Sequence, residues 1–422
     1  MLNFVRIITL LFIASSSIAQ WQWTELDTMP FRTSNNAVCE AIVNGNEFVY
    51  SFGGIDTTKI YSGIHQRSFK YNVATDSWTE IASLPDASGK IANAASFVNG
   101  KIYILGGYHV LSNSSEISSN KVHIYNPTTD AFEADGASIP LAIDDHVQCV
   151  YKDSLIFVVT GWSNNGNKPD VQIYDPSNDS WQLGTFTPNN LSYTSFGTSG
   201  YILGDTLYYY GGADGGAFAA RRYMRKGYIN PLDPTDITWS LMANAPGLPS
   251  YRAACSGINN TIFWVGGSSV SYNFNGIAYN GSGGVAPSAR ILHFNNVSRQ
   301  YSDEITQPYG VMDLRGIAKL SNNRWIICGG MDSTQTVSNR TFLLENQSVN
   351  LLENELDNFV VKTFVDKIII ESNEKSSAKL VNYSGRTLQE WKKAKKFKID
   401  KTSFKSGVYV FIQEGRSVRI QL

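Results

Sequence analysis

The feature that most constrains this chain is a glycine pair that returns about every 50 residues. Each pair ends a short apolar run, and the intact copies are "SFGGI", "ILGGY", "YYGGA", "WVGGS" and "ICGGM". A degenerate copy, "VVTGW", contains Thr160 and Gly161. From the second glycine of one copy to that of the next, the steps are 53, 54, 51, 55 and 63 residues. Self-similarity at this period indicates a repeat fold with one supersecondary unit per repeat.

A second repeated mark lies downstream of these motifs. It reads as a strand, a turn rich in Asn, Asp and Pro, and an aromatic strand that ends near a proline, because such turn residues favour a tight reversal. The copies are "YNVATDSWTEIASLP" (71–85), "YNPTTDAFEADGASIP" (125–140), "YDPSNDSWQLGTFTP" (174–188) and "INPLDPTDITWSLMANAP" (229–246). A fifth copy, "LHFNNVSRQYSDEITQP" (292–308), has Tyr301 in place of the aromatic Trp.

These paired marks resemble the Kelch family of β-propellers, whose repeat is about 50 residues long. The resemblance covers roughly residues 21–345 and implies that every repeat is one β-blade. A phosphate-binding glycine loop would instead lead into a helix, and the polar sequence after Gly107 lacks a helical apolar period. We therefore interpret the glycine pairs as structural residues that close the second strand of each blade.

The two ends of the repeat array are predicted to meet. Six glycine motifs but only five downstream aromatic strands leave one blade incomplete. The segment "WQWTELDTMP" (21–30) parallels "DSWTEIASLP" (76–85), and we expect it to be the missing outer strand, beside "RTFLLEN" (340–346). The predicted fold class is all-β: a six-bladed Kelch-type propeller closed by its N-terminal strand, so that no long unpaired edge remains, followed by a small antiparallel β-sandwich.

The sandwich is predicted from the tail, where the repeats end and the charge changes. Residues 351–422 carry 14 Lys and Arg against 9 Asp and Glu, and apolar residues alternate between Ser-Gly turns. The tail resembles the C-terminal sorting domain of the type IX secretion system of Bacteroidetes in "VDKIIIES", "AKLVNYSGR", "IDKTSFKSGVYVFIQEG" and "RSVRIQL". The resemblance implies recognition by that machinery, and removal of the tail during export. The cluster "WKKAKKFK" (391–398) is interpreted as a solvated β-edge rather than a nucleic-acid site.

The N-terminus has the pattern of a signal peptide: Arg6, an apolar stretch from Ile7 and a small-residue cleavage site ending at Ala19. The predicted organisation is a signal peptide at 1–19, the propeller at 20–350 and the sandwich at 351–422. A secreted or cell-surface location follows from this interpretation. Beyond the N-terminus no run of about 18 apolar residues occurs, so no transmembrane span is predicted.

Metals, cofactors and nucleic acids are not predicted as ligands. The five histidines show no paired ligand spacing, and no Cys-x-x-Cys occurs. Four cysteines in an exported chain could form two disulfides, but Cys39, Cys149 and Cys255 recur at similar places in the first strands of three blades. We therefore favour buried free thiols. The run "RRYMRK" (221–226) is interpreted as a solvated loop, because the propeller is otherwise acidic.

Function is expected on the propeller face that carries the loops after the glycine pairs and the turns into the next first strands. Arginines and aromatic residues at these places suit an anionic or carbohydrate ligand. The predicted ligand-binding residues are Arg32, Arg252, Arg315, Tyr193, Trp162 and Tyr272. The candidate catalytic residues are His146, Tyr309 and Asp313. The structural alternative stays open for the arginines, which can bond neighbouring carbonyls, and it is favoured for His146.

Three functions compete at this point. The leading hypothesis is an exported binding protein that recognises a glycan or a protein through its loop face. The second is an enzyme similar to the six-bladed Kelch N-acetylneuraminate mutarotases and epimerases, which would need an arginine for the sugar carboxylate and an acid–base pair. The third is an envelope scaffold without a ligand. An enzyme predicts a compact pocket with a few convergent polar groups, whereas a binder predicts a broad aromatic face.

Overall fold

The computed structural model describes residues 20–347, 359–363, 367–382, 386–404, 408–413 and 416–421. These residues fall into two compact units, a propeller formed by Trp21–Asn346 and a C-terminal unit formed by the strands after it. The signal peptide predicted at 1–19 and the boundary predicted at residue 350 lie outside the described residues. In the described part of the chain, no helix has the length and apolar character that a membrane crossing requires.

Six β-sheets of four or five strands form the propeller. The chain begins with β1 (Gln20–Leu26). The first two blades contain β2 (Ala37–Val43), β3 (Asn46–Phe52), β4 (Ser68–Asn72), β5 (Ser77–Ile81), β6 (Ile91–Val98), β7 (Lys101–Val110), β8 (Glu116–Ser118), β9 (Val122–Asn126) and β10 (Ala131–Phe132), with a 3-10 turn at Tyr61–Gly63. Blades three and four contain β11 (Val147–Tyr151), β12 (Leu155–Val159), β13 (Val171–Asp175), β14 (Ser180–Leu183), β15 (Ser199–Leu203), β16 (Thr206–Tyr210), β17 (Met224–Asn230) and β18 (Asp233–Leu241). Blades five and six contain β19 (Ala254–Ile258), β20 (Thr261–Val265), β21 (Ile291–Asn295), β22 (Gln300–Glu304), β24 (Ala318–Leu320), β25 (Arg324–Cys328) and β26 (Thr341–Gln347). The short strand β23 (Arg315–Gly316), which precedes β24, pairs in parallel with β2 of the first blade.

The second strand of a blade is an almost continuous apolar run, as in "LIFVV", "TIFWV" and "RWIIC". Four of its five residues are buried in each of these cases, because a blade packs against neighbours on both faces. Outer strands such as β5 and β14 are half-buried or exposed and carry polar residues. The core is therefore a series of apolar layers between successive blades.

The N-terminal strand completes the last blade, as predicted. The strand order of that sheet is β1–β26–β25–β24. Trp21 is buried, its indole N–H donates to Nε2 of His293 (2.8 Å), and its ring lies 5.4 Å from that of Trp325. Glu25 accepts two hydrogen bonds from Arg340, at 2.7 and 2.8 Å. Contacts between residues about 300 positions apart thus close the ring.

The glycine pairs join adjacent blades. In all six blades the backbone N–H of the second glycine donates to a carbonyl in the turn that leads into the next blade, as Gly107 does to Ile143 at 3.0 Å. Gly107 has φ +84°, and a Cβ placed there would lie 2.7 Å from the carbonyl oxygen of Ile91. Backbone conformation and close approach therefore both require glycine, which confirms the structural interpretation of the repeat.

In the second blade, the segment after the glycine pair forms a β-hairpin rather than the loop that is predicted after each pair. Strand β7 continues through Gly106 and Gly107 to Val110, and β8 folds back on it. His109 pairs with Ile117 and Val110 with Glu116 in this hairpin. The hairpin brings Glu116 to the loop face.

The C-terminal unit is an antiparallel sheet of five strands: β27 (Phe359–Thr363), β28 (Lys367–Asn382), β29 (Thr387–Asp400), β30 (Val408–Gln413) and β31 (Arg416–Gln421), with a 3-10 turn at Lys401–Ser403. Strand β28 pairs with β27 through its first half, with β30 through its second half and with β29 along both. Ile370 and Leu380, from the two halves, are buried in one cluster with Phe397 and Phe411. One core shared by both halves is the arrangement of a small sandwich. The lysines of "WKKAKKFK" lie exposed on β29.

Candidate functional site

The turn that leads into the first strand of each blade places one residue in the left-handed backbone region. These residues are Asn35, Ala92, Asp145, Gly197, Arg252 and Asp313, with φ between 48° and 65°. Five of them donate their backbone N–H to the carbonyl of the counterpart in the preceding blade, and Leu314 does so in the last blade, at 2.7 to 3.4 Å. The result is a closed hydrogen-bonded ring around the centre of the propeller, which we call the axial ring. Only one member is glycine, so the remaining strain must be held by the surrounding structure.

Three side chains of the axial ring form a buried ion cluster. Arg252 donates from Nε and Nη2 to the two carboxylate oxygens of Asp145 (3.1 and 2.5 Å) and from Nη1 to Asp313 (2.8 Å). Asp313 also accepts hydrogen bonds from Ser34 (2.6 Å) and Tyr272 (3.4 Å). Burial opposes the charge of Arg252, but the two carboxylates outweigh it and raise the pKa of Arg252 well above its usual value. Because its guanidinium donates hydrogen bonds to both carboxylates, Arg252 holds the axial ring together.

Arg315 reaches the same cluster from the last blade. Its Nη2 donates to the carbonyl oxygen of His146 (2.9 Å), and its Nη1 lies 3.6 Å from Oδ1 of Asp145. Burial lowers the pKa of Arg315, although Asp145 opposes this effect. The Nε atom of Arg315 is buried without a hydrogen-bond partner. Asp145 therefore lies between the two guanidiniums, and Arg315 keeps one free donor.

A cavity of about 190 Å³ lies on the loop face beside this cluster. Its aromatic lining comes from blades two to five and consists of Tyr108, Trp162, Phe196, Phe218 and Tyr279. The ring of Phe218 lies edge-on to that of Trp162 (5.6 Å between centroids) and 5.2 Å from that of Tyr279. Such contacts fix the aromatic walls relative to one another. We call this space the aromatic cavity.

Carboxyl groups form the rest of the lining of the aromatic cavity: Glu116, Asp144 and Asp145. Asp144 accepts a hydrogen bond from the hydroxyl of Ser118 (2.6 Å), and burial, followed by the proximity of Asp145, raises the pKa of Asp144 well above its usual value. Burial also raises the pKa of Glu116. The cavity thus combines aromatic walls with carboxyl groups that water solvates poorly.

A second cavity, of about 340 Å³, is the central channel lined by the first strands of the blades. Cys39, Cys149 and Cys255 lie on its wall as free thiols, and Cys39 and Cys149 are buried whereas Cys255 is only partly buried. His146 also lines the channel; its Nε2 lies 3.2 Å from Oε1 of Gln148, and its Nδ1 is buried without a partner. Burial, and then the charge of Arg315, lower the pKa of His146 to about 3, so the ring is neutral near neutral pH.

The structure brings together some of the sequence-predicted residues and separates others. Arg252, Arg315, Asp313 and Tyr272 belong to the ion cluster, Trp162 lines the aromatic cavity, and His146 meets Arg315 through its carbonyl group. The other three lie apart from the cluster and line neither cavity: Arg32, Tyr193 and Tyr309. Arg32 donates to the carbonyl oxygen of Val337 (3.3 Å), and Tyr309 packs on Phe342 (4.5 Å) in the last blade.

Several site residues were not predicted from the sequence: Asp144, Asp145, Glu116, Phe196 and Phe218. In the sequence, Asp145 stands out only as a neighbour of His146. An alignment of the turns of the six blades places Asp145, Arg252 and Asp313 at equivalent positions, which are those of the axial ring. Glu116 lay in a segment interpreted as a loop. No feature of the sequence predicts that Phe196 and Phe218 contact Trp162, because the contact depends on how neighbouring blades pack.

Comparisons with known proteins agree with this fold. A family model described as "KLHDC2/KLHL20/DRC7 Kelch-repeats domain" matches residues 11–212. The solved structure described as "Structure of YjhT" matches with a TM-score of 0.62 and 17% identity, covering 77% of this chain and 98% of that one. Residues 11–212 therefore match a Kelch-repeat domain, and the first unit has the fold of a Kelch-type β-propeller.

Two proteins that are similar to this chain belong to different classes, an epimerase and a BTB-domain protein. The N-acetylneuraminate epimerase of Shigella flexneri serotype 5b is 24% identical over 287 residues, which is 66% of this chain and 67% of that protein. The human Kelch repeat and BTB domain-containing protein 12 is 26% identical over 235 residues, which is 52% of this chain. The matched part spans only 36% of the human protein. Similarity to both an enzyme and a BTB-domain protein leaves the function to be argued from the site.

Proposed function

We propose that this protein is a binding protein that takes a small group of a glycan or of a protein into the aromatic cavity of its loop face. The observation that carries the proposal is the cavity itself, in which five aromatic side chains from four blades converge beside three carboxyl groups. Its volume of about 190 Å³ is below the range typical of pockets for drug-sized ligands. A single sugar ring or one amino-acid side chain matches that size.

Binding is favoured over catalysis by the state of the arginine beside the cavity. Arg252 is 1% exposed and donates to Asp145 and Asp313, so it has little freedom to grip a ligand carboxylate. Its contribution is to hold the residues beneath the cavity in place. A rigid floor with aromatic walls suits recognition, since little ordering is needed when the ligand arrives.

Substituting Trp162 tests this proposal. Saturation-transfer NMR would be recorded with galactose, N-acetylglucosamine, glucosamine, Nα-acetyl-lysine methylamide and N-acetylneuraminate. At least one compound is expected to bind, and Trp162→Ala should weaken its affinity at least about tenfold, because a ring that forms a wall is lost. The matched control Tyr228→Ala removes an exposed aromatic ring on β17 and should change nothing. Unchanged binding by the Trp162→Ala protein would contradict the proposal.

A second candidate is a sialic-acid mutarotase or epimerase that works from the central channel. Two observations favour it: the similarity to N-acetylneuraminate epimerases, and the unpartnered Nε of Arg315 and Nδ1 of His146 on the channel wall. Proton NMR of freshly dissolved N-acetylneuraminic acid tests it. Accelerated interconversion of the anomers, lost in Arg315→Gln and kept in Trp162→Ala, would support the enzyme. A rate equal to that of buffer alone would exclude it, and inert results in both assays would favour the scaffold hypothesis.

We also propose that the chain is exported, with residues 1–19 as the signal peptide and the C-terminal unit as a type IX sorting domain. Support comes from the motifs "VDKIIIES" and "IDKTSFKSGVYVFIQEG" and from the all-β structure of that unit. In a Bacteroidetes host, a signal peptide and a fluorescent protein fused to residues 347–422 should reach the medium or the cell surface. The same reporter without residues 347–422 should remain in the periplasm. Periplasmic retention of both would contradict the proposal.

A further inference from the structure

We infer that the aromatic cavity selects a ligand that carries an ammonium group. This inference rests on the proposed function, because it names the chemical class of the ligand that the cavity takes. It follows from three features of the described residues: the balance of charge around the cavity, the aromatic walls and the unpartnered polar groups in the lining.

The charge balance is acidic. Four carboxyl groups lie in and beside the cavity: Glu116, Asp144, Asp145 and Asp313. Among the residues that the structure describes, two guanidiniums face them, since Arg252 pairs with Asp145 and Asp313, and Arg315 lies near Asp145. Within the described part of the chain, neither Glu116 nor Asp144 has an ion pair of its own. Two carboxyl groups therefore face the cavity without a matching cation.

The surroundings of these two carboxyl groups differ. Asp144 is 3% exposed and accepts a hydrogen bond from the neutral hydroxyl of Ser118. Burial raises the pKa of Glu116, the charge of Arg252 lowers it, and the charge of Asp145 raises it. Among the described residues, no hydrogen bond to the Glu116 carboxyl group contributes. Burial raises the pKa of both groups, Asp145 adds to this effect at Asp144, and among the described residues neither group has an ion-pair partner. A ligand cation would supply the missing charge.

The walls suit a cation as well. An ammonium group is attracted to the faces of aromatic rings, and most strongly when water is excluded. Five aromatic rings line the cavity. Tyr108 is 3% exposed, and its hydroxyl has no hydrogen-bond partner among the described residues. The hydroxyl oxygen of Tyr108, in the same lining as Glu116, can therefore accept a hydrogen bond from a ligand. Aromatic rings and carboxyl groups around a small space form an aromatic cage.

An anionic ligand is disfavoured by the same groups. A carboxylate entering the cavity would meet Glu116, Asp144 and Asp145, while Arg252 is already bound to carboxylates. The described lining of the cavity has no guanidinium or ammonium group to pair with such a ligand, and the carboxylate of Asp145 would repel it. A sialic acid would therefore have to bind elsewhere, such as the channel that carries Arg315.

An ammonium group could come from a lysine side chain or from an amino sugar, and matched pairs separate these sources from the effect of charge. Glucosamine would be compared with N-acetylglucosamine, and Nα-acetyl-lysine methylamide with its Nε-acetylated form. Affinities of the full chain would be measured by calorimetry. In at least one pair the ammonium member is expected to bind about tenfold more tightly than its neutral partner. The pair that shows the preference identifies the source.

The variant Glu116→Gln keeps the shape of the side chain and removes its charge. It should reduce the preference for the ammonium member about tenfold and leave the affinity for the neutral member unchanged. Asp144→Asn is the second variant, with the same expectation. The control Glu80→Gln changes an exposed residue of β5 that pairs with Arg67 and should leave both affinities unchanged.

The outcomes separate the inference from the proposed function. Equal or tighter binding of both neutral members, with affinity still dependent on Trp162, would overturn the inference and leave the proposed function standing. A preference for ammonium that survives both Glu116→Gln and Asp144→Asn would also overturn it. If no compound of either pair or of the wider NMR panel binds, the proposed function fails and the inference with it.

Discussion

Removing residues 20–30 is expected to unfold the propeller or to lower its thermal midpoint drastically. The deletion takes away β1, the outer strand of the last blade, together with the buried side chains of Trp21 and Met29. Trp21 packs on Phe263 (4.7 Å) and Trp325 (5.4 Å), and Met29 donates its backbone N–H to Asn339 (2.8 Å). Loss of one such side chain costs about 3–5 kcal/mol, so the whole segment approaches the stability of about 5–15 kcal/mol typical of a domain.

Calorimetry of the truncated and intact proteins measures this effect, and a synthetic peptide of residues 20–30 provides the decisive control. Because β1 is the edge strand of its sheet and pairs only with β26 there, the peptide should bind the truncated protein and restore much of the lost stability. Glu25→Gln is a milder control, since an exposed ion pair with Arg340 contributes only about 0–1 kcal/mol. An unchanged unfolding transition after truncation would refute closure of the ring by the N-terminal strand.

Arg252→Met is expected to destabilise the propeller by about 3–5 kcal/mol, the usual effect of breaking a buried ion pair from one side. The substitution leaves Asp145 and Asp313 buried without the guanidinium that now bonds both. Arg222→Met is the matched control, because Arg222 is exposed and donates a single hydrogen bond to Gly247 (3.3 Å). Denaturant unfolding gives both free energies, and only the first variant should lose stability.

The loss of folding free energy in the Arg252→Met variant should also depend on pH. Without the guanidinium, burial will hold the pKa of Asp313 above the unfolded value of about 3.9. The unfolded chain then releases its protons at lower pH than the folded one, so stability is retained below about pH 4 and falls as pH rises. The deficit should therefore be smaller at about pH 5 than at about pH 8. Adding Asp313→Asn should recover part of it, and a deficit that is constant with pH would contradict the ion-pair account.

Local repetition made the fold predictable from sequence. Each Gly-Gly pair follows from a backbone contact that recurs in every blade, and the triplet Trp23-Thr24-Glu25 repeats the pattern of the outer strand that contains Trp78. The closing strand was identified because its sequence resembles its structural counterparts. Blade number and closure were therefore accessible without coordinates.

The site was predicted only in part, because its geometry depends on packing between blades. Trp162 and Phe218 are 56 positions apart and meet through the packing of blades three and four. Arg252 was predicted to grip a ligand, but its two carboxylate partners lie 107 and 61 residues away, and nothing local indicates that they neutralise it. Glu116 reaches the cavity through a hairpin whose pairing the polar sequence conceals. The sequence pattern does not indicate which charged residues pair when they lie far apart in the chain.

The most direct test of the central claim is a proton–nitrogen correlation spectrum of the tryptophan indoles during titration with glucosamine or Nα-acetyl-lysine methylamide. The chain has nine tryptophans, and Trp162 is the one that lines the aromatic cavity. Seven others donate their indole N–H to protein acceptors and serve as internal controls: Trp21, Trp23, Trp78, Trp181, Trp239, Trp264 and Trp325. The account predicts a saturable shift of the Trp162 signal, assigned with Trp162→Phe, while those seven stay in place. Saturable binding of either probe that leaves the Trp162 signal unmoved would contradict it.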